Sequence, residues 1–235
     1  HLGAWPAWSR AAWEPKALWS VVAIGFPVAI QVGTEMWAFN AATLLAGSLG
    51  TVTAAAHGVV LSMASISFMA ALGIAVGTTT RVGNLIGAGH HAGAQRAARL
   101  AMLMGAGVMT ISAVGFVVFR ESLPLLYLSD PAVVALAASI LPIAAAFQIF
   151  DGTQAVGCGV LRGMGRTRPA AGFNVIGYWV LGLPLGYWFG IRQGSLAGLW
   201  WGLALGLAVV AFLLIFWIQR NGPAAMAPKD GRHAS

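Results

Sequence analysis

The sequence is poor in charge. Only 8% of its 235 residues are Asp, Glu, Lys or Arg, whereas 59% are hydrophobic and the mean hydropathy is +0.81. A soluble globular domain has about 25% charged residues, so this chain has too few charges to coat a water-facing surface of its size. The composition therefore excludes an ordinary soluble domain and predicts a protein whose surface faces lipid.

Cysteine is nearly absent too. The single cysteine, Cys158, excludes an intrachain disulfide, and its apolar surroundings favour a packed, inert thiol. No Cys/His spacing indicates a zinc site. No phosphate-binding loop is present, so we expect that ATP does not drive the chain directly. These absences predict a protein without a resident cofactor and without enzymatic activity.

Long apolar runs dominate what is present. A helix needs about 20 apolar residues to cross the hydrocarbon core of a bilayer, and six segments reach that length. They run over residues 18–48, 53–79, 97–119, 131–161, 169–191 and 195–218. Asp130-Pro131 is typical of an N-cap followed by the first turn of a helix. The sequence predicts an all-α bundle of six membrane-spanning helices over residues 17–219, preceded by a linker over residues 1–16 and followed by a tail over residues 220–235.

The basic residues predict an orientation. If the amino terminus lies inside the cell, only Arg120 and Arg192 fall outside, and 11 of the 13 basic residues fall inside. The inside set is Arg10, Lys16, Arg81, Arg96, Arg99, Arg162, Arg166, Arg168, Arg220, Lys229 and Arg232. Because cytoplasmic loops are enriched in Lys and Arg, we expect both termini in the cytoplasm and the chain in the inner or plasma membrane. The net charge of +7 is thereby explained without a nucleic-acid partner.

Small residues recur four apart in the last two segments. One row consists of Gly182, Gly186 and Gly190, and the other of Gly198, Gly202 and Gly206. Such rows let helix backbones approach closely in lipid. They predict a compact bundle and say nothing about a substrate.

Two of the six carboxylates, Glu35 and Asp151, lie inside apolar segments. An acid at the centre of a membrane helix costs about 2.5–3.5 kcal/mol on insertion scales. That cost is tolerated where the acid faces a cavity, a partner or an ion. A hydrogen bond that only holds two helices together is the structural alternative.

The neighbours of the two acids favour a site. Gln31 precedes Glu35 by one turn, and Gln148 and Gln154 lie three residues on either side of Asp151, so each acid lies on a polar stripe of its helix. Neutral oxygens beside carboxylates suit a hard cation such as Na+. A lone buried acid suits proton exchange equally well, and the sequence does not choose between the two ions.

Four stretches resemble helices of the MATE (multidrug and toxic compound extrusion) transporter family. Residues 26–39, in which Glu35 follows Pro27 by eight positions, resemble its seventh helix. Residues 57–84, 147–163 and 178–184 resemble its eighth, tenth and eleventh helices. The resemblance runs in unbroken order from about residue 17 to residue 218 and is closest to the NorM-like branch.

The resemblance implies exchange of drugs against Na+ or H+. Glu35 and Asp151 match the two acids of the cation site in the carboxy-terminal lobe, while Phe147 replaces a tyrosine that some relatives have. Family members have twelve helices in two lobes, so the chain resembles one lobe, and we expect an amino-terminal six-helix lobe as its partner. Because the first residue is His1, we expect a fragment or a processed piece.

The expected site has two parts. Around the cation we place Glu35, Asp151, Gln148, Gln154 and Gln31. Around a cationic or amphipathic drug we place four aromatic residues that are individually also suited to packing against lipid, namely Trp37, Phe39, Phe147 and Phe150. A flippase for a lipid-linked oligosaccharide, from a related branch, and a non-transporting remnant are the alternatives.

Overall fold

The computed structural model describes residues 15–227, which form helices joined by short turns and contain no strand in that range. The helices are α1 (Pro15–Ser48), α2 (Thr51–Gly87), α3 (His91–Val118), α4 (Pro131–Gly163), α5 (residues 167–191) and α6 (Leu196–Asn221), with short 3-10 helices at Pro124–Leu126 and Pro223–Met226. All six predicted segments are helical, and the all-α fold class is confirmed. Most of the predicted linker over residues 1–16, and the last part of the predicted tail over residues 220–235, lie outside the described residues.

Turn and cap residues mark the ends of several helices. Gly89 separates α2 from α3 with a φ of 75°, and Gly165 separates α4 from α5 with a φ of 68°, a conformation that glycine adopts without steric cost. Asp130 caps α4, because its Oδ1 accepts hydrogen bonds from the backbone N–H groups of Ala132 (2.8 Å) and Val133 (3.3 Å). The cap satisfies donors that the first turn of a helix leaves free.

The turn between the second and third helices is shorter than predicted. α2 continues to Gly87 instead of ending near residue 79, and α3 begins at His91 instead of near residue 97. Hydropathy marks only the apolar part of a helix. Polar residues that tolerate helical geometry, such as the exposed Arg81 and Asn84, extend α2 past that part.

α5 departs from regular α-helical geometry. Thr167–Asn174 and Leu183–Gly186 are α-helical, whereas Val175–Gly182 and Tyr187–Ile191 have the wider π-helical turn. Pro184 lies between the two π-helical stretches and has no N–H to donate. Five helices, α1 to α4 and α6, are long and apolar enough to cross a membrane by length and composition, and α5 is the sixth helical segment of the bundle.

α4 is the central helix and packs against α2, α3 and α6. Every residue from 151 to 161 is buried. A Cβ atom at Gly159 would lie 2.6 Å from the carbonyl oxygen of Ala75 in α2, and one at Gly152 would lie 3.1 Å from that of Gly105 in α3. Glycine therefore permits backbone contacts that hold helices together in lipid.

The predicted glycine rows lie at the interface between α5 and α6, which confirms their role in close packing. A Cβ atom at Gly206 would lie 2.7 Å from the Cα atom of Gly182, and one at Gly190 would lie 2.7 Å from the backbone nitrogen of Leu199. α1 packs mainly along α5 and less along α2. A cavity is lined by residues of α1, α2 and α4.

Candidate cation-binding cavity

The cavity is lined by α1, α2 and α4 and has a volume of about 300 Å³. Its polar wall includes Gln31 and Glu35 from α1, and Asp151, Gln154 and Arg162 from α4. The helical periodicity explains the arrangement, since residues three or four apart share one face of a helix. The two acids that stand 116 positions apart in the sequence, at 35 and 151, thus reach one cavity from two helices.

Two amides hold the half-buried Glu35 carboxylate in place. Gln154 Nε2 donates a hydrogen bond to Glu35 Oε2 (3.2 Å), and Asn174 Nδ2 donates to the same oxygen (3.4 Å). Gln154 Nε2 also lies 3.4 Å from Asn174 Oδ1. This triangle links α1, α4 and α5, and it leaves Glu35 Oε1 outside these contacts.

Several acceptor oxygens around the cavity lack a donor. Asp151 is only 5% exposed and Gln31 only 3% exposed. Asp151 Oδ1, Gln31 Oε1 and Gln154 Oε1 are buried and have no hydrogen-bond partner among the residues from 15 to 227. A buried polar atom without a partner is costly, and a hard cation or a proton would satisfy oxygens of this kind.

The ligand atoms that the cavity offers to an ion fit a monovalent cation better than a tightly held metal ion. Within the described part of the chain, no group of three or more His, Cys, Asp and Glu side chains is suited to a metal ion. Two carboxylates with amide oxygens nearby instead provide hard oxygen ligands of low total charge. Arg162 also lines the cavity, and its positive charge partly offsets that negative charge.

Aromatic side chains also line the cavity. Phe39 and Phe147 line the cavity and contact each other edge to face, with ring centroids 6.0 Å apart. Phe39 also contacts the buried Tyr178 of α5 at 5.8 Å. Met36 and Met69 line the cavity and are 60% and 56% exposed, so its rim consists of flexible apolar side chains.

Three residues of the predicted site do not line this cavity. Gln148 Oε1 accepts hydrogen bonds from Ser67 of α2 and, at 3.2 Å, from Ser112 of α3, so this side chain joins three helices. Phe150 packs against Phe212 of α6, with ring centroids 6.1 Å apart. Trp37 is 70% exposed on the surface of α1.

Sequence reasoning missed two members of the cavity region. Asn174 is fully buried at the end of the first α-helical part of α5, and its signal was an isolated amide inside an otherwise apolar segment. Arg162 lines the cavity as well. Its position before Gly163, at the end of an apolar segment, had indicated a residue at the cytoplasmic boundary of the membrane. His57 lies outside the cavity: it is fully buried, its Nε2 lies 3.2 Å from Thr43 Oγ1, and its ring contacts Trp200.

Apolar helices long enough to cross a bilayer, packed around a cavity with two acids, define a multi-pass membrane protein. The MatE family model matches residues 27–188 of the chain. The chain therefore belongs to the MATE family.

Named relatives agree with this assignment. The chain is 43% identical over 215 residues to the probable multidrug resistance protein NorM of Burkholderia pseudomallei, covering 89% of this chain and 46% of that protein. It is 36% identical over 218 residues to the multidrug resistance protein MdtK of Yersinia pseudotuberculosis, covering 89% of this chain and 48% of that protein. Among solved structures, the eukaryotic MATE transporter AtDTX14 superposes with a TM-score of 0.83 at 28% identity, covering 90% of this chain and 48% of the other.

The chain spans about half the length of the curated relatives it matches. The matched half is the carboxy-terminal one. The expected likeness to a carboxy-terminal six-helix lobe is thereby confirmed.

Proposed function

We propose that the chain is one lobe of a multidrug exporter in which Glu35 and Asp151 bind the coupling cation, Na+ or H+. One observation supports this most strongly. The two acids, from α1 and α4, line one cavity in which acceptor oxygens of Asp151, Gln31 and Gln154 have no donor among the described residues. An intramembrane acid that only joined two helices would have its oxygens paired.

The residues around the two acids have different roles in the proposed binding of the cation. Gln154 and Asn174 orient Glu35 through their N–H groups, and Asp151 offers an oxygen that no described residue occupies. Na+ would bind between the two carboxylates and the amide oxygens of Gln31 and Gln154. A proton would instead be shared between the two acids, which titrate as a pair when they interact strongly.

Drug exchange follows from competition in the same cavity. A cationic or amphipathic drug would place its charge near Glu35 and Asp151 and its apolar part against Phe39, Phe147 and the exposed methionines, all of which line the cavity. Drug and coupling cation would then exclude each other. The relatives named as multidrug resistance proteins support this substrate class.

A second lobe completes the proposed transporter. Transporters built from repeats hold substrate at the interface between the repeats and alternate access by rocking one against the other. The chain matches the carboxy-terminal half of its relatives, so an amino-terminal six-helix lobe would supply the opposite wall. We expect the 235-residue chain alone to bind the cation and the drug without exporting the drug.

The charges of the residues that line the cavity disfavour a flippase for lipid-linked oligosaccharides. A pyrophosphate group calls for several basic side chains that can donate charge-assisted hydrogen bonds. This cavity has two acids, Glu35 and Asp151, and Arg162 as its one basic residue among those that line it. A non-transporting remnant would keep the fold but would have no reason to keep cation and drug in competition.

The test measures that competition directly. The purified chain is titrated with a fluorescent cationic dye while Na+ concentration and pH are varied, and is then reconstituted in vesicles with an imposed gradient. We expect either cation to release the dye, Asp151→Asn to abolish that release, and the exposed Glu121→Gln control to retain it. Dye binding that ignores both cations, or the Asp151→Asn change, would overturn the proposed site. Gradient-driven dye transport by the chain alone would overturn the need for a second lobe.

We further propose that both termini face the cytoplasm. Arg81, Arg96, Arg162 and Arg220 lie at helix ends on one side of the bundle and Arg120 in a turn on the other, an arrangement inferred from the alternating course of the helices. In a variant without Cys158, single cysteines at positions 120 and 166 are exposed to a membrane-impermeant thiol reagent in intact cells. Labelling at position 120 alone is expected. Labelling at position 166 alone would invert the topology.

A further inference from the structure

A second and larger concavity lies between α2 and α3, on the far side of α2 from the candidate cation site. Its volume is about 1010 Å³, at the upper limit of the range of about 300–1,000 Å³ that small-molecule pockets occupy. It shares no lining residue with the cation-binding cavity. We name it the α2–α3 groove, and nothing in the proposed transport function uses it.

One end of the α2–α3 groove is basic. Arg81 near the end of α2, Arg96 in the first turns of α3, and His90 and His91 between them all line it. Among the described residues that line the groove there is no carboxylate. The ion pair of the described residues joins Arg120 to Glu121, so neither groove arginine has an acidic partner within that part of the chain.

Unsatisfied hydrogen-bond groups lie at the same end. No side chain caps the amino terminus of α3, where free N–H groups and the helix dipole favour an anion. His91 Nδ1 is buried and has no hydrogen-bond partner among residues 15–227. The guanidinium groups, the imidazole and the helix terminus together suit a phosphate group.

The other end of the α2–α3 groove is apolar and lies deeper along the helices. On α2 the lining reaches back to Ile74, and on α3 it reaches forward to Leu100 and Met104. At a rise of about 1.5 Å per residue, Ile74 and Met104 lie about 10–12 Å along their helices from Arg81 and Arg96. Leu100 and Met104 are 60% and 51% exposed, so this part opens to the side of the bundle, where lipid chains lie.

A ligand of this groove therefore needs an anionic group at the membrane surface joined to an apolar chain directed into the bilayer. From this charge pattern and geometry we propose that the α2–α3 groove binds one anionic phospholipid. Its phosphate contacts Arg81, Arg96 and the amino terminus of α3, and an acyl chain lies along Ile74, Leu100 and Met104. Basic pockets at membrane-facing helix ends bind acidic lipid headgroups by the same physics.

The test compares two lipids that differ only in the headgroup. The purified chain in a neutral detergent is titrated with phosphatidylglycerol and with phosphatidylcholine, each labelled on the acyl chain. We expect phosphatidylglycerol to bind at least about tenfold more tightly. Because each basic residue in contact with the phosphate should contribute about a fivefold gain, Arg96→Ala should weaken phosphatidylglycerol binding about fivefold, and Arg81→Ala together with Arg96→Ala about 25-fold.

Two further variants keep the proposal falsifiable. Arg99→Ala removes the same charge from the same helix, but Arg99 is exposed and does not line the groove, so binding should change less than twofold. Gly77 lines the groove and has open space beyond its Cα atom, so Gly77→Trp should fill the groove and remove bound lipid while the chain stays folded. Equal binding of the two lipids, equal losses in Arg96→Ala and Arg99→Ala, or unchanged binding in Gly77→Trp would each overturn the proposal.

Discussion

α1 and α4 each contribute one acid to the candidate cation site, yet the two helices are packed very differently. α4 is enclosed by α2, α3 and α6, and its residues 151–161 are all buried. α1 leaves large apolar side chains such as Trp19, Trp37 and Leu44 at least 70% exposed. Asp151 thus lies on an enclosed helix, and Glu35 on a helix with a largely exposed surface.

The contacts of α1 explain this difference. Trp179 Nε1 of α5 donates a hydrogen bond to the carbonyl oxygen of Thr34 (3.0 Å), and Thr167 Oγ1 donates to that of Ile24 (3.4 Å). These are polar links to the irregular α5, in contrast to the close glycine contacts that surround α4. If the proposed cation binds between the two acids, we expect α1 to be the helix that moves, towards α4.

The largest expected effect concerns stability. Gly159→Ala places a Cβ atom 2.6 Å from the backbone oxygen of Ala75, and neither backbone can yield cheaply. We expect a loss of about 1–3 kcal/mol in unfolding free energy, as is usual for overpacking. The matched control is Gly47→Ala in α1, where a Cβ atom meets nothing within 4 Å. That change should be neutral or stabilising by up to about 1 kcal/mol.

Thermal unfolding in detergent measures both variants. A lower melting temperature for Gly159→Ala and an unchanged or higher one for Gly47→Ala would support the conclusion that α4 is packed more tightly than α1. Equal losses at the two positions would show that α1 is packed as tightly as α4.

A smaller effect is expected at the link between α1, α4 and α5. Asn174→Ala removes one of the two donors to Glu35 Oε2, a part-buried contact of 3.4 Å, and a typical hydrogen bond contributes about 0.5–1.5 kcal/mol. Cation displacement of the bound dye should therefore need up to roughly tenfold more cation, while the melting temperature falls less than in Gly159→Ala. The control is Asn84→Ala, at an exposed position near the end of α2. Equal effects of the two substitutions would remove Asn174 from the site.

The sequence predicted the bundle well because its strongest signals are also its strongest physical constraints. Apolar runs must span lipid, and glycine rows permit close helices, so the six segments and the α5–α6 interface followed directly. Glu35 and Asp151 could be predicted as site residues, because a carboxylate inside an apolar membrane helix costs free energy unless it faces a cavity, a partner or an ion. The two acids could be expected to share one cavity if both helices place their polar stripe towards the interior of the bundle.

Other parts of the site depend on three-dimensional packing that no local pattern encodes. Gln148 has the same spacing from Asp151 as Gln154, yet it bonds to Ser67 and Ser112, because the opposite side of the turn faces α2 and α3. Asn174 reaches Glu35 from a helix more than a hundred residues away in sequence. The π-helical stretches of α5 had no predicted counterpart, since a change of helical pitch leaves the apolar pattern unchanged.

The central claim is that Glu35 and Asp151 act as one site, and carboxyl-carbon NMR tests it most directly. The chain has only six acidic residues, so the side-chain carboxyl signals of a ¹³C-labelled sample can be assigned by substitution and followed against pH and Na+. The account predicts that Asp151→Asn shifts the titration midpoint of Glu35 by more than about one pH unit, the mark of coupled groups. Glu35→Gln should alter the titration of Asp151 in turn, and Glu121→Gln should alter neither. Independent titration of Glu35 and Asp151, with no response of one to the loss of the other or to Na+, would contradict the account.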